Sequence, residues 1–169
     1  HTGFFTISCL KSNLENHVVA IEPLSINFHR IITNLRLNNF NDKNATLFNY
    51  AASNENKKVK FNVNTEWSYL SKGGKISNSG VDIQAIKLDE LNFNDNPRKI
   101  RAIKIDTEGE DLNVLYGAKN LIEKNRPKII VETRKNNFNE IINFLSEIGY
   151  NKIYNSNNKF TQNSFLDVF

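Results

Sequence analysis

The stretch Ala102–Glu110, AIKIDTEGE, constrains this chain most. A short apolar run ends at an acid, and a turn with one glycine and further acids follows at once. A continuous apolar run of this length suits a strand buried on both faces, as in a parallel sheet. Two other runs share the pattern. HVVAIEP (His17–Pro23) carries Val18–Ile21 and stops at Glu22, and KIIVE (Lys128–Glu132) stops at Glu132. Pro23 fixes the backbone and ends the first of them.

The segments between these runs have helical spacing. Phe4, Phe5, Ile7 and Leu10 predict a helix opened by a turn at Gly3. Ser25–Asn38 predicts a second, with Ile26, Ile31, Ile32, Leu35 and Leu37 near one face and Ser25 as its cap. Asp111–Lys124 predicts a third, and Asn137–Ile148, stopped by Gly149, a further one. Ala45–Tyr50 reads as another strand, followed by the small residues Ala51 and Ala52. Strands alternating with helices predict an α/β fold, an open and mostly parallel sheet with helices on both faces.

Residues from about 55 to 87 break the alternation. KVKFNV (Lys58–Val63) and VDIQAIKL (Val81–Leu88) alternate polar and apolar with period two, which predicts an inserted antiparallel pair around a loop at Ser71–Gly80. Trp67 lies beside that loop, either lining a substrate mouth or standing at an ordinary rim. The tail, Lys152–Tyr154 and Phe165–Phe169, reads as a final strand pair joined by an Asn-rich turn. The whole is expected to be one domain over residues 1–169, a size at which one core is the norm.

Composition narrows the function classes. Net charge is +4, but the basic residues are dispersed apart from Lys57–Lys60, whereas a nucleic-acid binder concentrates them on one face. No apolar run approaches membrane-spanning length. Cys9 stands alone, which rules out an intrachain disulfide and a cysteine zinc site. The expectation is a cytoplasmic protein acting on neither nucleic acid nor membrane.

In open α/β sheets ligands sit at the carboxyl ends of the strands. Those ends carry Glu22, Ala51, Asp106 and Glu132. An acid about 20 residues after a glycine turn, as Glu22 is after Gly3, is placed to accept both hydroxyls of a ribose. The acids after Asp106 have a structural reading: Thr107 with Glu110 matches a capping box, and Glu108, Glu110 and Asp111 suit the positive end of the next helix. Asp106 itself is not explained that way. It can orient an ammonium, accept a proton, pair with Lys104 two residues earlier, or bind a metal with Glu108 and Glu132. His17 and His29 read as structural residues, and no serine nucleophile elbow is present.

The succession VVAIEP, NYAAS, IKLDEL, IKIDTEGED, VLYGA and RPKIIVE resembles the FkbM-type methyltransferases over nearly the whole chain. The resemblance implies a Rossmann-like fold, S-adenosylmethionine as cofactor, and O-methylation of a hydroxyl on a sugar, glycan or small metabolite. It implies that His1, Thr2 and Gly3 end the glycine-rich loop and that Glu22 binds the ribose. Tyr50 and Ala51 fall near the adenine, and Asp106 near the methionine part. Asp106 is then the first candidate for a general base, with Glu108 and Glu132 behind it and no metal. The family pattern starts with a strand and an Asp-x-Gly-Ala-type turn, and this sequence begins inside that loop. The expectation is therefore an N-terminally truncated domain without its first strand. The alternative is a non-catalytic Rossmann-like remnant that serves as a binding module.

Overall fold

The computed structural model describes residues 2–63, 74–91, 99–134, 137–151, 153–155 and 163–168. His1 and Trp67 lie outside the described residues. The chain divides into two compact units, His1–Ala51 with Lys57–Ala85 and Ala52–Asn56 with Ile86–Phe169.

The first unit opens with α1 (Phe4–Ser12), then β1 (Val18–Ile21), α2 (Ser25–Leu37) and β2 (Ala45–Phe48). β1 and β2 pair in parallel, Val18 against Ala45 through Ile21 against Phe48. Helix α2 is the crossover that a parallel pair requires. Leu10, Ile31, Leu35, Phe40 and Ala45 form the core of this βαβ layer. The expected apolar faces are corrected in part. Phe4 and Phe5 are exposed, and α1 buries Thr6 and Leu10 instead. In α2 Asn27, Ile31 and Leu35 are buried, whereas Ile26 and Leu37 face solvent. The buried residues of α2 lie four apart, on one narrow stripe. Ser25 is the first helical residue rather than the cap, and its hydroxyl donates to the Asn49 side chain at 3.0 Å.

Strands β3 (Ala51–Ala52), β4 (Lys57–Val63), β5 (Gly74–Ser77) and β6 (Val81–Ile86) form a sheet in the order β3-β6-β4-β5. β4 pairs antiparallel with both β5 and β6. Period-two alternation buries Val59, Phe61, Ile83 and Ala85, which cluster with Leu24 and Ala51.

The second unit contains a 3-10 turn at Leu88–Glu90, then β7 (Ala102–Ile105), α3 (Asp111–Gly117), α4 (Lys119–Asn125) and β8 (Lys128–Arg134). α5 (Phe138–Glu147), β9 (Ile153–Asn155) and β10 (Asn163–Val168) complete it. The sheet order is β7-β8-β10-β9. β7 and β8 pair in parallel, and β10 is antiparallel to both β8 and β9. Ile105, Val114, Leu115, Ile122, Ile129, Val131, Ile141 and Leu145 are buried in this unit.

The helix expected over Asp111–Lys124 is two helices that meet at Ala118. Two contacts fix the break. Asp89 accepts hydrogen bonds from the Asn120 and Leu121 N–H groups at 3.1 and 2.8 Å, which caps α4 from a distant part of the sequence. Gly117 packs against backbone: a Cβ there would stand 2.0 Å from the Ser53 carbonyl oxygen.

Candidate functional site

The acids of the second unit are brought together by strand register. Ile105 of β7 stands beside Val131 of β8. One step further along both chains, Asp106 and Glu132 are lateral neighbours. Adjacent strands lie about 4.8 Å apart, and paired residues point to the same face. Lys104, two residues before Asp106, shares that face. Its ammonium is 2.6 Å from Asp106 Oδ2, in a pair whose side chains are 24% and 39% exposed. The ion pair expected between Lys104 and Asp106 is therefore present.

The two neighbouring carboxyls respond in opposite directions. Burial works against a charge on Asp106. The hydrogen bond from Glu132 and the Lys104 ammonium outweigh it and hold the Asp106 carboxyl below the ordinary 3.8. The hydrogen bond to Asp106, then burial and the negative charges of Asp106, Glu108 and Asp111, push the Glu132 carboxyl up to about 7. Two adjacent carboxylates do not both ionise readily, and here the raised member is Glu132.

The turn after Asp106 is organised by Asp111. Its Oδ1 accepts from the Thr107 N–H at 2.9 Å and the Thr107 hydroxyl at 2.8 Å. Its Oδ2 accepts from the Gly109 N–H at 3.2 Å. Asp111 is 2% exposed. These bonds hold Glu108 in the left-handed region at φ 55, a conformation that side chains other than glycine rarely adopt. The capping box expected between Thr107 and Glu110 is corrected accordingly. Thr107 pairs with Asp111, and Glu110 accepts from the Asn113 side chain at 2.9 Å. Glu108 is exposed at the tip of this turn and reaches Glu132 through its charge.

The first unit holds the other candidates. Gly3 has φ 87 and precedes α1, and the Thr2 carbonyl accepts from the Asn34 side chain at 2.9 Å. Glu22 follows β1 and is 5% exposed. Its Oε1 accepts from the Leu24 N–H at 3.0 Å and from the Asn27 amide at 3.5 Å. Tyr50 is half-buried with its ring stacked on Phe48, and Ala51 is buried at the start of β3. Asn49 escaped the sequence reading. Its amide donates to the carbonyls of Glu22 and Pro23 at 2.8 and 3.0 Å, which clamps the end of β1 to the end of β2. Asn beside the flagged Tyr50 was the available signal, because Asn bonds readily to nearby backbone. The residues after Glu22 also border a cavity of about 400 Å³, lined by Pro23, Leu24, Ser25, Asn49, Val81 and Gln84 among others.

Glu22 with Gly3 and Ala51 fits a nucleoside-type cofactor by donor chemistry. A carboxylate accepts up to roughly four hydrogen bonds, so holding the Pro23–Leu24 turn and accepting from a ribose hydroxyl are compatible. The histidines are structural, as expected. His17 bridges the Lys43 carbonyl and the Thr46 hydroxyl, and His29 bonds the Ser25 carbonyl. Burial pushes the Cys9 thiol up, which disfavours a nucleophilic thiolate. Among the described residues no helix is long and apolar enough to cross a membrane.

Parallel strands with helices between them make an α/β fold, and comparison with known proteins narrows it. The crystal structure of methyltransferase FkbM from Methylobacillus flagellatus KT matches with a TM-score of 0.71 at 18% identity. The match covers 99% of this chain and 41% of that one, so this chain spans less than half the length of that protein. At this identity the likeness establishes the shared α/β fold. The family model for the methyltransferase FkbM domain matches residues 1–152, and the chain belongs to that family. No curated protein matches the chain.

Proposed function

We propose that the protein is an S-adenosylmethionine-dependent O-methyltransferase acting on a hydroxyl of a sugar, glycan or small metabolite. Family membership supports the reaction class. The observation that carries the chemistry is the placement of Asp106 and Glu132 side by side just past the parallel pairing of β7 and β8, where the neighbouring acid pushes the Glu132 carboxyl up to about 7.

Thr2, Gly3, Glu22, Tyr50 and Ala51 are the residues that would hold the cofactor, with Glu22 accepting from the ribose. The cofactor supplies an activated methyl group, which leaves the protein to position the acceptor oxygen and remove its proton. Glu132 takes the proton. A base works best when its pKa lies near the working pH, and Glu132 at about 7 meets that condition. Asp106 is held ionised by Lys104 and is correspondingly weak as a base. It serves as the fixed anion that keeps Glu132 basic. Glu108 adds negative charge at the turn and is not itself the proton acceptor.

The test is methyl transfer from labelled S-adenosylmethionine to a panel of monosaccharides, oligosaccharides and small hydroxylated metabolites, read as a function of pH. Turnover is expected with at least one hydroxylated acceptor, on a limb that rises through about pH 7. Transfer to nitrogen or sulfur acceptors alone would overturn the reading.

A further inference from the structure

The ladder between β1 and β2 is continued past its last pair by a side chain. The parallel pairing closes with Ile21 beside Phe48. One residue on, the Glu22 N–H donates to the Phe48 carbonyl at 3.0 Å. The chain then turns at Pro23 and enters α2 at Ser25. The Asn49 amide donates to the Glu22 carbonyl at 2.8 Å and to the Pro23 carbonyl at 3.0 Å. Its oxygen accepts from the Ser25 hydroxyl at 3.0 Å. A primary amide offers two N–H donors and a carbonyl acceptor. Here both kinds of group are engaged by one turn.

Glu22 is thereby bracketed, its N–H held by Phe48 and its carbonyl by Asn49. Fixing the backbone on both sides fixes the direction in which the side chain leaves it. The carboxylate then closes the turn, with Oε1 accepting from the Leu24 N–H at 3.0 Å. Asn49 also borders the cavity of about 400 Å³ together with Pro23, Leu24 and Ser25, so the same bonds set one of its walls.

We propose that Asn49 is a positioning residue for cofactor binding, acting through Glu22. By holding the Glu22 backbone it aims the carboxylate that accepts from the ribose. The inference rests on the S-adenosylmethionine reading for that use, but the hold on Glu22 is measurable without any cofactor. Donation is the property that matters. Asn49→Asp keeps the shape of the side chain and an acceptor for Ser25, but it sets a carboxylate oxygen against two carbonyls. Asn49→Ala removes the clamp without adding charge.

The experiment has two arms and uses Thr46→Val as its control. Thr46 is also on β2, and its hydroxyl bonds the His17 ring at 2.9 Å near the opposite end of the strand pair. The first arm is native-state amide hydrogen exchange without cofactor. The Val18 N–H, bonded to the Asn44 carbonyl at 3.0 Å, serves as the reference. Asn49→Asp and Asn49→Ala are expected to speed exchange at Glu22 and Leu24 by about tenfold relative to Val18. Thr46→Val is expected to spare those two amides. Equal change at all three amides, or no change in the folded Asn49 variants, overturns the proposal.

The second arm is calorimetric titration of S-adenosylmethionine. Asn49→Asp is expected to bind about tenfold more weakly than the native chain, and Thr46→Val to bind as the native chain does. Placed in the Glu22→Gln background, Asn49→Asp should weaken binding by less than about threefold more, because both changes act on one contact. Native affinity in Asn49→Asp, or losses that multiply in the double variant, overturns the proposal. Absence of binding to the native chain would instead sink the cofactor reading, and the exchange arm would still decide whether Asn49 holds Glu22.

Discussion

Glu22 and Glu132 stand at equivalent places, each just past the parallel pairing of an apolar strand, yet they are used differently. Glu22 is almost fully enclosed and its carboxylate holds the backbone of the turn that follows it. Glu132 is half-exposed and stands beside another acid. The contrast shows that strand-end placement alone does not define a base. What separates the two is the neighbour: the Glu22 carboxylate accepts from a backbone N–H, whereas Glu132 stands beside a second carboxylate, which favours its protonated form.

The largest expected effect lies in the scaffold beneath the acid pair. Asp111→Ala removes three hydrogen bonds to a buried carboxylate and leaves the Thr107 N–H without its acceptor. Loss of about 3 kcal/mol is expected in urea unfolding. A loss well under 1 kcal/mol would mean that Glu108 is held in its left-handed conformation by other contacts.

Glu22 tests the other side of the comparison. Glu22→Ala is expected to cost about 1–3 kcal/mol because the Leu24 N–H loses its partner. Glu22→Gln keeps an acceptor oxygen and should cost less. If both variants lose equal stability, the carboxylate's charge matters more to the turn than its hydrogen bond.

Smaller in size but sharper in sign is the pH dependence of Glu132→Gln. The folded Glu132 value of about 7 lies above its ordinary 4.5. Its protonated form therefore stabilises the fold. That contribution is complete below about 4.5 and is lost as pH rises through about 7. Glutamine cannot ionise, so Tm of Glu132→Gln relative to the native chain should be higher at pH 8 than at pH 5. The opposite order would contradict the raised value.

The smallest effect separates two ion pairs of equal length. Lys60 and Asp82 also meet at 2.6 Å, but both are largely exposed. Lys60→Met should leave Tm and the pH profile unchanged, whereas Lys104→Met should shift the profile. Equal responses would show that distance alone, rather than the neighbouring Glu132, sets the outcome.

Much of this was legible in the sequence. The runs VVAI, AIKI and KIIVE announced parallel strands, and period-two alternation at Lys58–Val63 announced an antiparallel segment. The acids at the strand ends were visible for the same reason. Their division of labour was not. The link between Asp106 and Glu132 depends on register across strands separated by two helices, and sequence spacing does not encode register. Asp89 was similarly hidden, because it caps a helix some thirty residues further along the chain, where local capping rules do not reach. The exposed Phe4 and Phe5 show the limit of periodicity, since a nine-residue helix offers more than one plausible apolar face.

The most direct test is calorimetric titration of S-adenosylmethionine into the chain, the Glu22→Gln variant and the Glu132→Gln variant. The account predicts saturable binding to the native chain, at least tenfold weaker binding to Glu22→Gln, about 1.4 kcal/mol, and near-native binding to Glu132→Gln. Absence of binding to the folded native chain, or equal binding to all three proteins, would contradict it.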